Sequence, residues 1–122
     1  ALERAGLCAR QIDYINLHGT GTPVNDAMED HAVQAVFGSE VACSSTKGWT
    51  GHTLGASGII EAMFAVVMMR AGFAPGCLNV TRLDPAFGSR VLTQTLHMPL
   101  RRVMSNAFGF GGTNCSLIFE AV

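Results

Sequence analysis

The sequence has 122 residues and a net charge of −1, with 48% hydrophobic but only 14% charged residues. This length allows one domain with a moderate core, and the near-neutral charge gives no electrostatic reason to expect nucleic acid or a membrane surface as a partner. Because about 25% charged residues is usual in a soluble domain, the deficit predicts that much of the surface is covered. The chain begins at Ala1 within a helical pattern and without an initiator methionine, so we expect a piece of a longer protein.

The four cysteines are widely spaced and form no Cys-x-x-Cys pair. They are Cys8, Cys43, Cys77 and Cys115. This spacing predicts packed, reduced thiols in a reducing compartment, and hence a cytoplasmic protein. The most apolar run, residues 59–69, is interrupted by Glu61 and is predicted to be too short to span a bilayer.

The first part of the chain alternates between helical and strand patterns. The predicted elements are the end of a helix over 1–10, a strand over 12–17, a helix over 27–37, a strand over 41–45 and a helix over 57–71. We expect Asn25 or Asp26 to cap the helix over 27–37. The apolar face expected to be buried in that helix consists of Met28, Ala32, Ala35 and Val36. The helix over 57–71 is apolar nearly all the way round, which predicts a place in the middle of a layered structure.

The second part of the chain reads mainly as strands, predicted over 78–80, 90–96, 101–105 and 115–120. Strand-helix-strand-helix followed by antiparallel-like strands predicts an α/β fold, with a mixed β-sheet packed on the buried apolar helix.

Three glycine-rich turns carry the unusual residues, over 18–23, 45–58 and 106–114. In open α/β sheets, function is found where strands end and turns lead onward. We therefore expect the two histidines and the lysine of these turns, His18, His52 and Lys47, to meet at one edge of the sheet.

Three kinds of chemistry are compatible with such a site. A metal bound by His18, His52, Asp26 and a cysteine is disfavoured, because no pair has ligand spacing and Lys47 lies nearby. Phosphate binding is disfavoured too, since none of the glycine-rich turns is a G-x-G-x-x-G or G-K-[ST] loop. Acyl chemistry fits better, because neutral imidazoles and backbone N–H groups donate hydrogen bonds to a thioester oxygen that gains negative charge. No cysteine here sits on a glycine-rich elbow as a nucleophile would.

The motifs His-Gly-Thr-Gly-Thr-Pro (18–23), Ser-Thr-Lys-x-x-Thr-Gly-His-x-x-Gly-Ala-x-Gly (45–58) and Asn-x-Phe-Gly-Phe-Gly-Gly-Thr-Asn (106–114) resemble those of the β-ketoacyl-acyl-carrier-protein synthases. These are the condensing enzymes of fatty-acid and polyketide synthesis, which have the thiolase fold. The resemblance implies that residues 1–122 are the C-terminal part of such a synthase, incomplete on the N-terminal side. The nucleophilic cysteine then lies in the absent part, and the fragment alone is expected to be inactive.

The resemblance also implies a decarboxylative Claisen condensation of an acyl thioester with malonyl carrier protein. In it, His18 and His52 bind the malonyl thioester carbonyl and stabilise the enolate formed as CO₂ leaves. Lys47 holds the charge balance of the site, and Phe110 gates it and completes the oxyanion hole. The other implied residues are Thr20 and Thr22 for the pantetheine arm, Asp26, Glu29 and Glu61 as a supporting network, and Asn16, Leu17, Glu61, Ser105 and Asn106 as ligands of a monovalent cation.

Acyl carrier protein is the partner that the resemblance implies, together with a homodimer or heterodimer of the full-length parent. No separate cofactor is expected, because the carrier's phosphopantetheine holds the substrates. The alternative is a non-catalytic partner subunit of the chain-length-factor type, against which the retention of both histidines and the lysine argues.

Asn25 replaces a glycine usual in the first motif, as in synthases of aryl-polyene clusters, and a positive φ at this position would explain the glycine. The motifs do not specify acyl chain length or pathway.

Overall fold

The computed structural model describes all residues from 1 to 122. Its helices are α1 (Leu2–Ala5), α2 (Pro23–Phe37), α3 (Lys47–Thr50) and α4 (Ser57–Ala71). Its strands are β1 (Tyr14–Asn16), β2 (Ala42–Ser44), β3 (Phe73–Ala74), β4 (Arg90–Val91), β5 (Leu96–His97), β6 (Arg102–Phe108) and β7 (Asn114–Glu120). Short 3₁₀ turns lie over Ala9–Gln11, Leu54–Ala56 and Phe110–Gly112.

Five strands form one mixed sheet in the order β4-β2-β1-β6-β7. The first four strands are parallel, and β7 runs antiparallel to β6. β3 and β5 pair as a separate antiparallel ribbon. The predicted α/β fold with a mixed sheet is therefore confirmed. Asn16 pairs in register with Ser44 on one side and Ser105 on the other, so a buried polar row crosses the carboxyl ends of β1 and β2 and the middle of β6.

Two apolar clusters cover the two faces of this sheet, because successive strand residues point to opposite sides. Tyr14 and Val103 pack with Ala65 and Met68 of α4 on one face. Ile15 and its partner strands pack with Val33 of α2 on the other face. The result is a three-layer arrangement in which α4 and α2 lie on opposite sides of the sheet.

Helix α4 has the bounds that the sequence predicts, Ser57–Ala71, and it ends at Gly72, whose φ is 69°. Its buried residues are Ser57, Glu61, Ala62, Ala65 and Met68. The opposite face is 65%, 62% and 53% exposed at Ile59, Met63 and Val67. The expectation of a helix buried all round is therefore wrong within this chain, which supplies a covering layer on one side only.

Helix α2 differs more from its prediction. It begins at Pro23 with Thr22 as the N-cap, because proline is pre-shaped for the first helical position. Neither Asn25 nor Asp26 is its cap. The face expected to be buried (Met28, Ala32, Ala35 and Val36) is exposed. Glu29, Asp30 and Val33 are buried instead, because backbone N–H groups of neighbouring turns bind the two carboxylates.

Asn25 lies in the first turn of α2 and does not have a positive φ. Its side-chain amide donates a 3.0 Å hydrogen bond to Asp26 Oδ1. The suggestion that a positive φ explains the glycine usual at this position is therefore wrong for this chain.

The irregular second part of the chain is where strand prediction fails. Residues 78–80 form a turn with Asn79 at φ 64°, and the run 90–96 is divided between β4 and β5, which lie in different sheets. Two-residue strands carry too little alternation to be recognised. The predicted helix over 1–10 is shortened to α1, because Gly6 ends it in a left-handed conformation.

Together with the 3₁₀ turn before it, α4 forms an 18-residue run, Leu54–Ala71, that is long and apolar enough to cross a membrane by length and composition alone. The expectation that this segment is too short is therefore wrong. In this chain the run packs on the sheet and carries Glu61, paired with Lys47, in its first half. A core helix passes the same test of length and composition.

All four cysteines are free thiols. Cys43 is buried and Cys77 half-buried, but Cys8 and Cys115 are exposed, so the packing prediction is wrong for the last two.

Candidate active site

The three glycine-rich turns meet at the carboxyl edge of the parallel strands. His18 follows β1, Lys47 follows β2 at the start of α3, and Phe108 ends β6. The ring centroids of His18 and His52 are 5.3 Å apart with the planes at 84°, and those of His18 and Phe108 are 5.6 Å apart. The predicted convergence of the two histidines is therefore present.

His18 is held as a neutral ring. It is 5% exposed, and its Nδ1 lies 3.4 Å from Lys47 Nζ. An ammonium has only hydrogens to donate, so Nδ1 is the acceptor and the ring proton lies on Nε2. Burial, and after it the charges of Lys47 and His52, lower the pKa of His18 to about 4.

His52 reaches the same tautomer by another route. Its Nδ1 accepts the backbone N–H of Leu54 at 3.2 Å, which leaves the proton on Nε2. Leu54 has a φ of 53°, a left-handed conformation that costs a non-glycine residue about 1–2 kcal/mol. Nothing in the sequence signals this role of Leu54. The imidazole of His52 is exposed in this chain, whereas that of His18 is buried.

Lys47, the only lysine of the chain, is buried and forms an ion pair with Glu61 of α4. Their side chains are 6% and 4% exposed. Burial raises the pKa of Glu61, and the hydrogen bond and charge of Lys47 partly offset this effect. The predicted partnership of Lys47 and Glu61 is therefore present as a direct contact.

Glu29 and Asp26 support the first turn rather than Lys47. Glu29 is buried and accepts the backbone N–H groups of His18 and Gly19, each at 2.8 Å. Asp26 Oδ1 accepts the N–H of Gly21 at 3.3 Å. Burial raises the pKa of Glu29, although these donors offset part of the effect.

Ser45 joins the first two turns, a role that the sequence analysis did not assign. Its hydroxyl donates to the carbonyl of Gly19 at 2.7 Å and accepts the N–H of Lys47 at 3.2 Å. A Cβ at Gly19 would lie 2.5 Å from Ser45 Cβ, so only glycine allows this approach. The position of Ser45 inside the second motif was the available signal.

Of the residues predicted for the pantetheine arm and the gate, Thr20 lines the cavity of the site, whereas Phe110 is fully exposed. Thr20 and Thr22 are joined by a 2.9 Å hydrogen bond between their hydroxyls, and Thr20 lines a cavity of about 470 Å³ together with Lys47 and His52. Phe110 is fully exposed in the turn after β6. The aromatic ring that contacts His18 is that of Phe108.

Two buried side chains, one two residues before His18 and one paired with Lys47, carry polar atoms without partners. Asn16 is completely buried, and neither its amide oxygen nor its amide nitrogen has a hydrogen-bond partner. Glu61 Oε2 is also buried without a partner. Of the other residues predicted to bind a cation, Ser105 pairs with Asn16 in the sheet, Asn106 Oδ1 accepts the Ser116 hydroxyl at 2.7 Å, and Leu17 donates its N–H to Ser44. Unpaired buried polar atoms of this kind are rare in folded proteins.

The fold and site together define an α/β domain that presents two imidazole Nε2–H groups beside a buried ammonium, an arrangement suited to stabilising a developing oxyanion. The family model of the β-ketoacyl synthase C-terminal domain matches residues 1–81. The chain therefore belongs to the β-ketoacyl synthase family.

Relatives of known sequence or structure agree with this assignment. The chain is 49% identical to the mitochondrial 3-oxoacyl-[acyl-carrier-protein] synthase of Arabidopsis thaliana, over 100% of this chain and 28% of the relative. A β-ketoacyl synthase structure from Burkholderia phymatum matches with a TM-score of 0.97 and 42% identity, over 100% of this chain and 30% of that one. A ketosynthase from Xenorhabdus doucetiae, solved in complex with its chain length factor, matches with a TM-score of 0.93 and 44% identity, over 100% and 31%. The chain thus spans less than a third of each relative, and its structure has the thiolase-like fold of these ketosynthases.

Proposed function

We propose that residues 1–122 are the C-terminal part of a β-ketoacyl-acyl-carrier-protein synthase, an acyltransferase of fatty-acid or polyketide synthesis. The parent enzyme condenses an acyl thioester with malonyl carrier protein and releases CO₂. The observation that carries this proposal is the matched state of His18 and His52, whose Nδ1 atoms both accept hydrogen bonds and whose Nε2–H groups are left to donate.

In the proposed reaction, an acyl group is first transferred to a cysteine of the upstream part. Malonyl carrier protein then binds with its thioester carbonyl oxygen against the Nε2–H groups of His18 and His52. The bond between the carboxylate and the α-carbon breaks, CO₂ leaves, and the electron pair forms an enolate whose oxygen these two donors stabilise. The α-carbon attacks the acyl thioester carbonyl, the cysteine thiolate leaves, and the product is a β-ketoacyl thioester on the carrier.

Lys47 supports this chemistry through charge. Its ammonium donates to His18 Nδ1, which fixes the tautomer. Its charge disfavours the imidazolium, so the ring stays neutral and donates from Nε2. Glu61 balances the ammonium. Glu29 and Asp26 support the turn that carries His18.

The remaining assignments concern the substrate arm and the gate. We assign Thr20 and Thr22 to the pantetheine arm, since Thr20 lines the cavity that contains Lys47 and His52. We assign Phe110 to the gate and oxyanion hole, and its full exposure leaves the ring free to move against the upstream part.

We further propose a monovalent cation held by Asn16, Leu17, Glu61, Ser105 and Asn106. The unpartnered buried oxygens of Asn16 and Glu61 fit such an ion, which would neutralise the second oxygen of the Glu61 carboxylate. In the parent protein, replacement of potassium by tetramethylammonium should lower the unfolding midpoint. An unchanged midpoint would contradict the cation site.

The proposed partners are acyl carrier protein and a second ketosynthase-type subunit, identical or related. The name of the Arabidopsis relative includes acyl carrier protein, and the Xenorhabdus relative was solved with a chain length factor. The substrates arrive on phosphopantetheine, so the proposal needs no further cofactor. We propose a cytoplasmic parent with no membrane span, supported by four free thiols and by the packing of α4 on the sheet.

Replacement of His52 by alanine in the complete parent protein tests the function. His52→Ala removes one of the two oxyanion donors and should lower malonyl decarboxylation by about 100-fold or more. The matched control is His31→Ala, because His31 is exposed on α2 outside the site. Full turnover by the His52 variant would refute the assignment, as would a wild-type parent that does not decarboxylate malonyl carrier protein. The isolated 122-residue chain should show no condensation.

A further inference from the structure

The segment between β3 and β4 has no regular structure, and its C-terminal end is hydrogen-bonded to Asp30 of α2. The Asp30 carboxylate accepts two backbone N–H groups, and the Asp30 carbonyl accepts the Ser89 hydroxyl at 3.4 Å. Asp30 is 6% exposed. Its Oδ2 accepts the N–H of Gly88 at 3.2 Å, and its Oδ1 accepts the N–H of Ser89 at 3.0 Å. The Gln34 side chain donates to the same carboxylate at 2.5 Å. A Cβ at Gly88 would lie 2.3 Å from the Gln34 amide oxygen, so the segment approaches α2 closely here, and a larger residue would displace the Gln34 side chain.

The other end of the same segment is in close contact with the turn that carries Lys47. A Cβ at Gly48 would lie 2.9 Å from the carbonyl oxygen of Leu78 and 3.0 Å from its Cβ. One residue earlier, Cys77 Sγ accepts the N–H of Ser45 at 3.3 Å. Segment 77–89 is therefore in contact with the backbone on both sides of Lys47.

Between these two contacts, residues of the segment line the cavity of about 470 Å³ described above. Asp30 and Val33 of α2 line this cavity, and so do Lys47 and His52. The segment thus contacts α2 near one of its ends and the turn that carries Lys47 near the other.

We propose that Asp30 is a positioning residue of the active site, which acts by holding segment 77–89 against α2 so that the segment fixes the backbone at Gly48. Lys47 Nζ then stays within reach of both His18 Nδ1 and Glu61. This inference rests on the proposed condensing function. Asp30 lies outside the three motifs, so its position in the sequence does not signal this role.

When the carboxylate is removed, two backbone N–H groups lose their acceptor, and of these hydrogen bonds to Asp30 the long one from the Ser89 hydroxyl to the carbonyl remains. The segment can then shift relative to α2. Lys47 then shifts relative to His18, and a displacement of about 1 Å in a catalytic site can cost on the order of 100-fold in rate. His18 is surrounded by Lys47 and His52 on the α3 side and by Asp26 and Glu29 on the α2 side. The ring of Phe108 also packs against it. The segment contacts the backbone at Ser45 and Gly48, on the two sides of Lys47.

The test compares two half-reactions of the complete parent protein, malonyl decarboxylation and acylation of the upstream cysteine. Partial unfolding lowers both rates equally, whereas displacement of Lys47 lowers decarboxylation more. For Asp30→Ala we expect the ratio of decarboxylation to acylation to fall at least tenfold. Asp30→Asn keeps one acceptor oxygen, so it should give a smaller fall and serves if the alanine variant does not fold.

Asp13→Ala is the matched control. Asp13 Oδ2 also accepts two backbone N–H groups, those of Arg101 and Arg102 at 2.7 and 2.8 Å, at the opposite end of β1. Its variant should keep the wild-type ratio even if it is less stable. An unchanged ratio in both Asp30 variants overturns the inference while the proposed function stands, and so does an equal fall in the Asp13 variant. A wild-type parent without either half-reaction overturns both proposals.

Discussion

The buried ring of His18 makes the stability of the folded protein depend on pH. Its pKa is about 4 in the fold against 6.5 for a free histidine. As the pH falls from 6.5 towards 4, the ring takes up a proton in the unfolded chain but not in the folded one, so acid favours unfolding. This residue should therefore remove about 1.4 kcal/mol of unfolding free energy per pH unit across that window.

Urea unfolding of the parent protein and of His18→Asn at pH 7 and pH 5 measures this effect. The wild type should lose more free energy of unfolding than the variant, whose amide does not titrate. Equal losses in the two proteins would show that His18 is not held neutral by the fold.

The identities of the site residues were predictable from sequence, but their hydrogen-bonding states were not. Motif spacing identified His18 and His52 because turns after parallel strands meet at one edge. It could not reveal that the N–H of Leu54 fixes the His52 tautomer, since that bond depends on a left-handed residue for which leucine gives no signal. It also assigned one shared network to three carboxylates, whereas only Glu61 contacts Lys47.

At the scale of elements, the Lys47–Glu61 ion pair joins the short helix α3 to the long helix α4. Removal of one partner from a buried pair leaves an uncompensated charge and typically costs about 3–5 kcal/mol. Lys47→Met in the parent protein should lower the free energy of unfolding by this amount, measured by chemical denaturation, and should abolish decarboxylation.

Glu61→Gln added to Lys47→Met separates the two consequences. It removes the uncompensated carboxylate, so we expect part of the stability to return while decarboxylation stays absent. If the double variant is no more stable than Lys47→Met alone, the ion pair does not stabilise the packing of α3 on α4.

Long, strongly patterned elements were predicted well, and polar contacts explain the main failures. Helix α4 has its predicted bounds because its apolar run ends at Gly72. Helix α2 turns its carboxylates inward because the turns beside it offer backbone N–H groups, which no apolar pattern encodes. The strands β4 and β5 are two residues long each, and their pairing depends on neighbours far along the chain.

For the whole molecule, the most informative surfaces are two apolar stripes left uncovered on opposite sides of the sheet. The α4 stripe consists of Ile59, Met63 and Val67, and the α2 stripe consists of Val24, Met28 and Val36. Residues four apart lie on one face of a helix. The α4 set has this spacing, and the α2 set has it once the exposed Ala32 is included, so each forms a continuous band. Since the chain spans 28% of its Arabidopsis relative, most of such a parent is available to cover them.

We expect the upstream part of the parent to cover the α4 stripe, because the apolar sequence of this helix on all sides predicts a central layer. The isolated 122-residue chain should then associate through this stripe, which light scattering after gel filtration would detect. Met63→Glu should reduce that association, yet in the complete parent it should lower the free energy of unfolding by about 2 kcal/mol or more, because it buries a charge without a partner. His31→Glu, on an exposed and already polar position of α2, should leave the parent unchanged. A monodisperse monomer of the isolated chain, or a parent that tolerates Met63→Glu as well as His31→Glu, would show that the α4 stripe faces solvent.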